Sequence, residues 1–251
     1  MSKEKKNLPA KSDKASFLDK VRSSKAVSAT SKVETLKKAL VNESRPRLLF
    51  AMDATASREQ SWNVALEITG AMFESVPGAL DVALAYHSGG QLREITPFSS
   101  SAKVFLDKVQ TVRCTAGMTA LNGVLDRACG IRGLKALIYV GDCFEEDSSR
   151  AIEIAKQLKL KQVRCFMFHD TSSSGQGYDV QTATKVFASI AQITGGALLP
   201  FDETSPQLVK ALLEAIAIYA AQGINALEKK RASLPAARLL LDQIGDGKRV
   251  Q

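Results

Sequence analysis

Short apolar runs alternate with stretches of helical periodicity from residue 47 to residue 222, and a single pair of runs is joined by a tight turn. This rhythm constrains the fold more than any other feature of the chain. A strand that leads into a helix must be carried back across the sheet before the next strand can pair, so repeated alternation builds parallel strands wrapped by helices. The runs lie at 48–52, 80–86, 134–140, 163–168 and 197–200, with helical stretches at 60–76, 101–109, 148–158, 182–194 and 205–222 and one running up to Cys129. The exception is Ser88-Gly89-Gly90, which turns 80–86 directly into a short run at 91–96. So short a link joins only antiparallel neighbours, and it places 91–96 at an edge. The expected fold is α/β and Rossmann-like: a mostly parallel six-stranded sheet with one antiparallel edge strand and helices on both faces.

The run at 48–52 is apolar throughout, as befits a parallel strand covered on both faces. It ends in Asp53-x-Thr55-x-Ser57. In a half-extended backbone these alternate residues can point the same way. One carboxylate and two hydroxyls meeting at the C-terminal edge of a strand can hold a hard divalent cation, and that edge is where open α/β sheets place their ligands.

Asp-x-Thr-x-Ser at the end of an apolar strand resembles the first loop of the von Willebrand factor A (VWA) domain, where it belongs to a metal-ion-dependent adhesion site. The usual form there is Asp-x-Ser-x-Ser; Thr55 departs from it but keeps the hydroxyl. The resemblance extends to two further segments in order. Gly117-x-Thr119-Ala120-Leu121 looks like the family's second loop, and Asp142, after Tyr139-Val140-Gly141, looks like the aspartate of the third. The resemblance thus implies a site of Asp53, Thr55, Ser57, Thr119 and Asp142. These five are all oxygen donors, a set suited to Mg²⁺, Mn²⁺ or Ca²⁺. The family also implies an open coordination position, filled by an Asp or Glu of a protein partner. The expected function is metal-dependent protein–protein interaction, without turnover, within a multiprotein assembly.

Two alternatives stand beside it. Asp53 could be the nucleophile of a Mg²⁺-dependent phosphohydrolase, although Thr55 occupies the position where such enzymes carry a second acid. Otherwise the chain is a VWA scaffold with an empty site, and Asp53 or Ser57 merely caps a helix. No Gly-x4-Gly-Lys-Ser/Thr phosphate loop and no Gly-x-Ser-x-Gly elbow occur in the sequence. Cys143 reads as an incidental thiol, His87 and His169 as turn residues, and 145–147 as the acidic first turn of a helix. The loop at 170–181, rich in Ser and Gly, leaves the sheet at the same edge as Asp53.

The net charge of +8 is carried by the ends: residues 1–45 hold +7, 46–225 hold −2 and 226–251 hold +3. The boundaries drawn from this are a basic, largely disordered segment at 1–45 with a short helix at 33–42, a VWA-like domain at 46–224, and a charged tail at 225–251. The basic segment lacks aromatic interleaving, so nucleic-acid binding is not expected. The four cysteines, Cys114, Cys129, Cys143 and Cys165, form no CxxC pair. No secretory signal or spanning segment is evident, and a cytoplasmic protein without membrane contact is expected.

Overall fold

A computed structural model describes residues 45–55, 68–171, 180–201 and 205–246. The expected basic segment with its helix at 33–42, Ser57, and most of the loop at 170–181 lie outside the described residues. Six strands form one sheet: β1 (Arg47–Asp53), β2 (Asp81–Ser88), β3 (Gln91–Ile95), β4 (Leu134–Gly141), β5 (Arg164–His169) and β6 (Ala197–Pro200). Their order across the sheet is β3-β2-β1-β4-β5-β6. All neighbours are parallel except β2 and β3. The tight turn therefore makes the antiparallel edge, as the sequence predicts, and the apolar run at 48–52 lies in the middle of the sheet.

The helices are α1 (68–75), α2 (Ala102–Val109), α3 (Leu121–Cys129), α4 (Ser148–Leu160), α5 (Val180–Thr194), α6 (Pro206–Gln222), α7 (Ile224–Lys229) and α8 (Pro235–Asp246). Alternate residues of β1 serve the two faces of the sheet. Leu48, Phe50 and Met52 join one apolar layer with Ile68, Met72, Phe105, Leu213 and Ile216. Leu49 and Ala51 join the other with Leu121, Leu125, Ile154, Leu158, Phe187 and Ile190. One face is thus covered by α3, α4 and α5, the other by the remaining helices.

The C-terminal segment corrects the expected boundary at 224. Residues 225–246 pack on the domain, because α7 and α8 place Leu227, Ala237, Leu240, Leu241 and Ile244 in the larger apolar layer. The charges that suggested a tail lie on the outer side, where Arg231 pairs with Asp242 at 2.7 Å. An amphipathic helix with a crowded charged face is easily mistaken for a solvated segment when its partner surface is unknown. Among the described residues, no helix is long and apolar enough to cross a membrane.

Candidate metal centre

Parallel strands end at a common edge, so β1, β4 and β5 release the chain at the same side of the sheet. Asp53 closes β1, fully buried, and its Oδ1 accepts the backbone N–H of Thr55 at 2.8 Å. This local turn is one that Asp forms readily at a strand exit. Thr55 is buried beside it. Asp142 follows β4, which is paired in register with β1, and is also buried. Carboxylate oxygens of Asp53 and Asp142 lie within 4.8 Å of each other and of Cys143 Sγ. The structure therefore brings Asp53, Thr55 and Asp142 to one place.

Thr119 reaches the same edge through the segment before α3. The N–H of Thr115 donates to Ala54 O at 3.0 Å and that of Gly90 to Met118 O at 2.8 Å, so the segment is tied both to the β1 exit and to the β2–β3 turn. The approach is close enough to require Gly117. Its φ is +143°, and a Cβ there would stand 2.3 Å from Gly89 Cα.

The acidic run is not the first turn of a helix. Asp147 is the N-cap of α4, accepting from Ser149 N at 2.8 Å, and the two glutamates before it reach across to the neighbouring loop. Glu145 and Thr119 bond reciprocally: Thr119 N donates to Glu145 Oε2 at 3.2 Å, and Glu145 N donates to Thr119 Oγ1 at 3.1 Å. The Glu146 carboxylate accepts from Leu121 N at 2.5 Å and Asn122 N at 2.9 Å, capping α3 from another segment of the chain. Burial raises its carboxyl pKa, and these N–H donors together with the Thr119 hydroxyl pull it part of the way back. The Thr119 hydroxyl donates to Glu146 and accepts from Glu145 N, which leaves its oxygen one further lone pair. The two glutamates clasp the loop of Thr119 to the loop of Asp142.

His87 is no turn residue either. It is fully buried at the end of β2, in register with Asp53. Its Nδ1 accepts the Ala120 N–H at 3.2 Å, which places the ring proton on Nε2, 3.0 Å from Tyr139 Oη. Nδ1 also stands 3.8 Å from Asp53 Oδ1, but two acceptors face each other there and no ion pair forms. Burial lowers the His87 pKa to about 4, consistent with a neutral ring. His169 likewise holds a loop, with Nε2 3.2 Å from the Asp142 carbonyl. Both imidazoles brace the site from beneath.

The lowered pKa of His87 carries a pH dependence. The unfolded chain takes up this proton near pH 6.5 and the folded chain near pH 4, so the unfolded state binds more protons between those values. Stability is full above about pH 6.5 and declines toward about pH 4, at a rate of at most about 1.4 kcal/mol per pH unit from this group. Melting temperatures measured with chelator present should fall over that window in the wild type, and the fall should be smaller in His87→Gln. Equal slopes would show that His87 does not titrate as its surroundings dictate.

As a donor set for a divalent cation, the described residues fit: two buried carboxylates lie within 4.8 Å of each other, and the buried Thr55 and Thr119 stand in segments tied to theirs. The signal for Asp53 and Asp142 is plain in the sequence. That for Glu145 and Glu146 is not, because their partners lie more than twenty residues away along the chain.

No family model matches the sequence, and no curated protein matches it. Solved structures do. A von Willebrand factor type A protein from Catenulispora acidiphila superposes with a TM-score of 0.54 at 14% identity, over 71% of this chain and 43% of that one. Proximal thread matrix protein 1 of the mussel byssus gives 0.54 at 12% identity, over 69% of this chain and 46% of that one. The pilus adhesin SpaC of Lactobacillus rhamnosus GG, in an open conformation, gives 0.54 at 11% identity, over 69% of this chain and 29% of that one. The chain spans less than half the length of each. At these identities the likeness shows the fold alone, and that fold is of the VWA type.

Proposed function

We propose that this chain binds a divalent cation, Mg²⁺, Mn²⁺ or Ca²⁺, at Asp53, Thr55, Ser57, Thr119 and Asp142, and uses it to capture a protein partner. The observation that carries this reading is the convergence of two buried carboxylates from separate strands at the C-terminal edge of the sheet. Bound there, the cation would supply a fixed positive charge to which an Asp or Glu of the partner adds as a further ligand. Asp53 and Asp142 provide the negative charge that retains the ion. The threonine hydroxyls add neutral donors, and the clasp of Glu145 and Glu146 fixes the Thr119 oxygen. Met118, more than half exposed beside Thr119, offers apolar contact at the rim, since one ion bridge must also offset desolvation.

The protein works without turnover in this reading, in the cytoplasm, as a member of an assembly. A phosphohydrolase centred on Asp53 needs a general acid within reach of the leaving oxygen. Thr55, two residues on, cannot supply one.

Melting in the presence of millimolar Mg²⁺ or Mn²⁺ tests the centre, because a ligand that binds the native state stabilises it by mass action. A rise of about 3 kcal/mol is expected when the ion is present at 100 times its dissociation constant, and Asp53→Ala should lose it. Capture of the partner should then require metal and cease in chelator. Capture that persists in chelator would move the interface elsewhere on the fold.

A further inference from the structure

We propose that Cys143 is a ligand of the same ion, so that the centre takes a borderline divalent metal of the Zn²⁺ class in preference to Mg²⁺ or Ca²⁺. The inference rests on the metal-binding reading above and adds a sulfur donor to its oxygen set, which turns the preference from the hard ions named there toward a softer one. Cys143 Sγ and carboxylate oxygens of Asp53 and Asp142 all lie within 4.8 Å of one another, and all three residues are buried. Donors around one tetrahedral ion stand about 3.3–3.8 Å apart when the bonds are about 2.0–2.3 Å long. The three atoms can share a single ion after closing in by at most about 1.5 Å.

The surroundings of Cys143 form a second, independent observation. A buried cysteine that only fills space packs among apolar side chains. Cys165 does so, within the layer under α3, α4 and α5. Cys143 is nearly as buried but belongs to neither apolar layer. Its neighbours are carboxylates: Asp142, to which its thiol hydrogen-bonds, Asp53 and Glu145. A thiol gains little from such company, whereas a thiolate and two carboxylates around one cation satisfy each other. Coordination through sulfur releases the thiol proton to solvent. Soft thiolate donors favour Zn²⁺ and its chemical relatives, while Mg²⁺ and Ca²⁺ favour oxygen throughout.

Co²⁺ serves as the probe, titrated into the full chain under reducing conditions, with Zn²⁺ and Mg²⁺ affinities measured in parallel. The wild type should develop the intense near-ultraviolet absorption of a cobalt–sulfur bond. Cys143→Ser should lose that absorption and bind Zn²⁺ about tenfold or more weakly. Its stabilisation by Mg²⁺ should remain, which shows that the variant folds and keeps its oxygen ligands. Saturation by Co²⁺ with no sulfur absorption overturns the inference and leaves the oxygen-only centre standing. So does absorption that persists in Cys143→Ser, since another thiol would then be its source. Absence of binding by Co²⁺, Zn²⁺, Mg²⁺ and Mn²⁺ alike overturns both this inference and the reading beneath it.

Discussion

Gly117→Ala is expected to lower stability by about 3–5 kcal/mol and to abolish stabilisation by metal. A Cβ at this position would lie 2.3 Å from Gly89 Cα and 2.9 Å from Gly89 N, both backbone atoms that no rotamer change can move aside. Overpacking of this kind costs about 1–3 kcal/mol. The φ of +143° adds strain of about 1–3 kcal/mol for any residue with a side chain. Relief requires the segment before α3 to withdraw from the β2–β3 turn, which breaks the bond from Gly90 N to Met118 O and carries Thr119 away from Asp142. Denaturant melts with and without Mn²⁺ measure both effects. A variant that melts like the wild type and still responds to Mn²⁺ would show that the two loops need not touch.

Glu146→Ala should cost about 3 kcal/mol and weaken metal binding, although Glu146 is not among the expected ligands. Its loss leaves the N–H groups of Leu121 and Asn122 without their carboxylate at the start of α3. Bonds to a charged partner are worth about 1.5–3 kcal/mol each, and helix caps about 1 kcal/mol. The Thr119 hydroxyl loses the group it donates to, so its oxygen is no longer aimed. Glu146→Gln keeps one acceptor and should fall between the two. Glu153→Ala, on the exposed side of α4, is the control and should stay within about 0.5 kcal/mol of wild type. Urea melts give the stability series, and Mn²⁺ titration gives the affinity. If Glu146→Ala loses stability but binds Mn²⁺ as the wild type does, the clasp is structural only.

Glu146 also marks the limit of what the sequence discloses. Features written in local periodicity were legible: the apolar runs, the turn at Ser88-Gly89-Gly90, the edge position of β3, and Asp53 and Asp142 at the ends of their strands. Each depends on neighbours a few residues away. The roles of Glu145, Glu146, His87 and His169 depend on groups from other loops, and local pattern assigns such residues to caps and turns. Cys143 looks incidental in the sequence for the same reason: its spacing to Asp142 is visible, but its approach to Asp53 exists only once β1 and β4 pair. The packing of α7 and α8 on the domain is hidden in the sequence because Glu228, Arg231, Arg238 and Asp242 dominate a segment whose buried face is made largely of alanine and leucine.

The two margins of the sheet bear on how this protein can associate. A bare strand margin is a template for another chain, and long flat ones invite fibres. Here β6 has only four residues and ends in Pro200, which has no N–H to donate. At the other margin, β3 carries Arg93 and Glu94, and its pairing with β2 shifts register between Tyr86 and His87. Short length, proline, charge and an irregular register all discourage a guest strand. Backbone-to-backbone annealing is therefore disfavoured at both margins of the described sheet, which leaves side-chain contacts as the favoured way for a partner to join there.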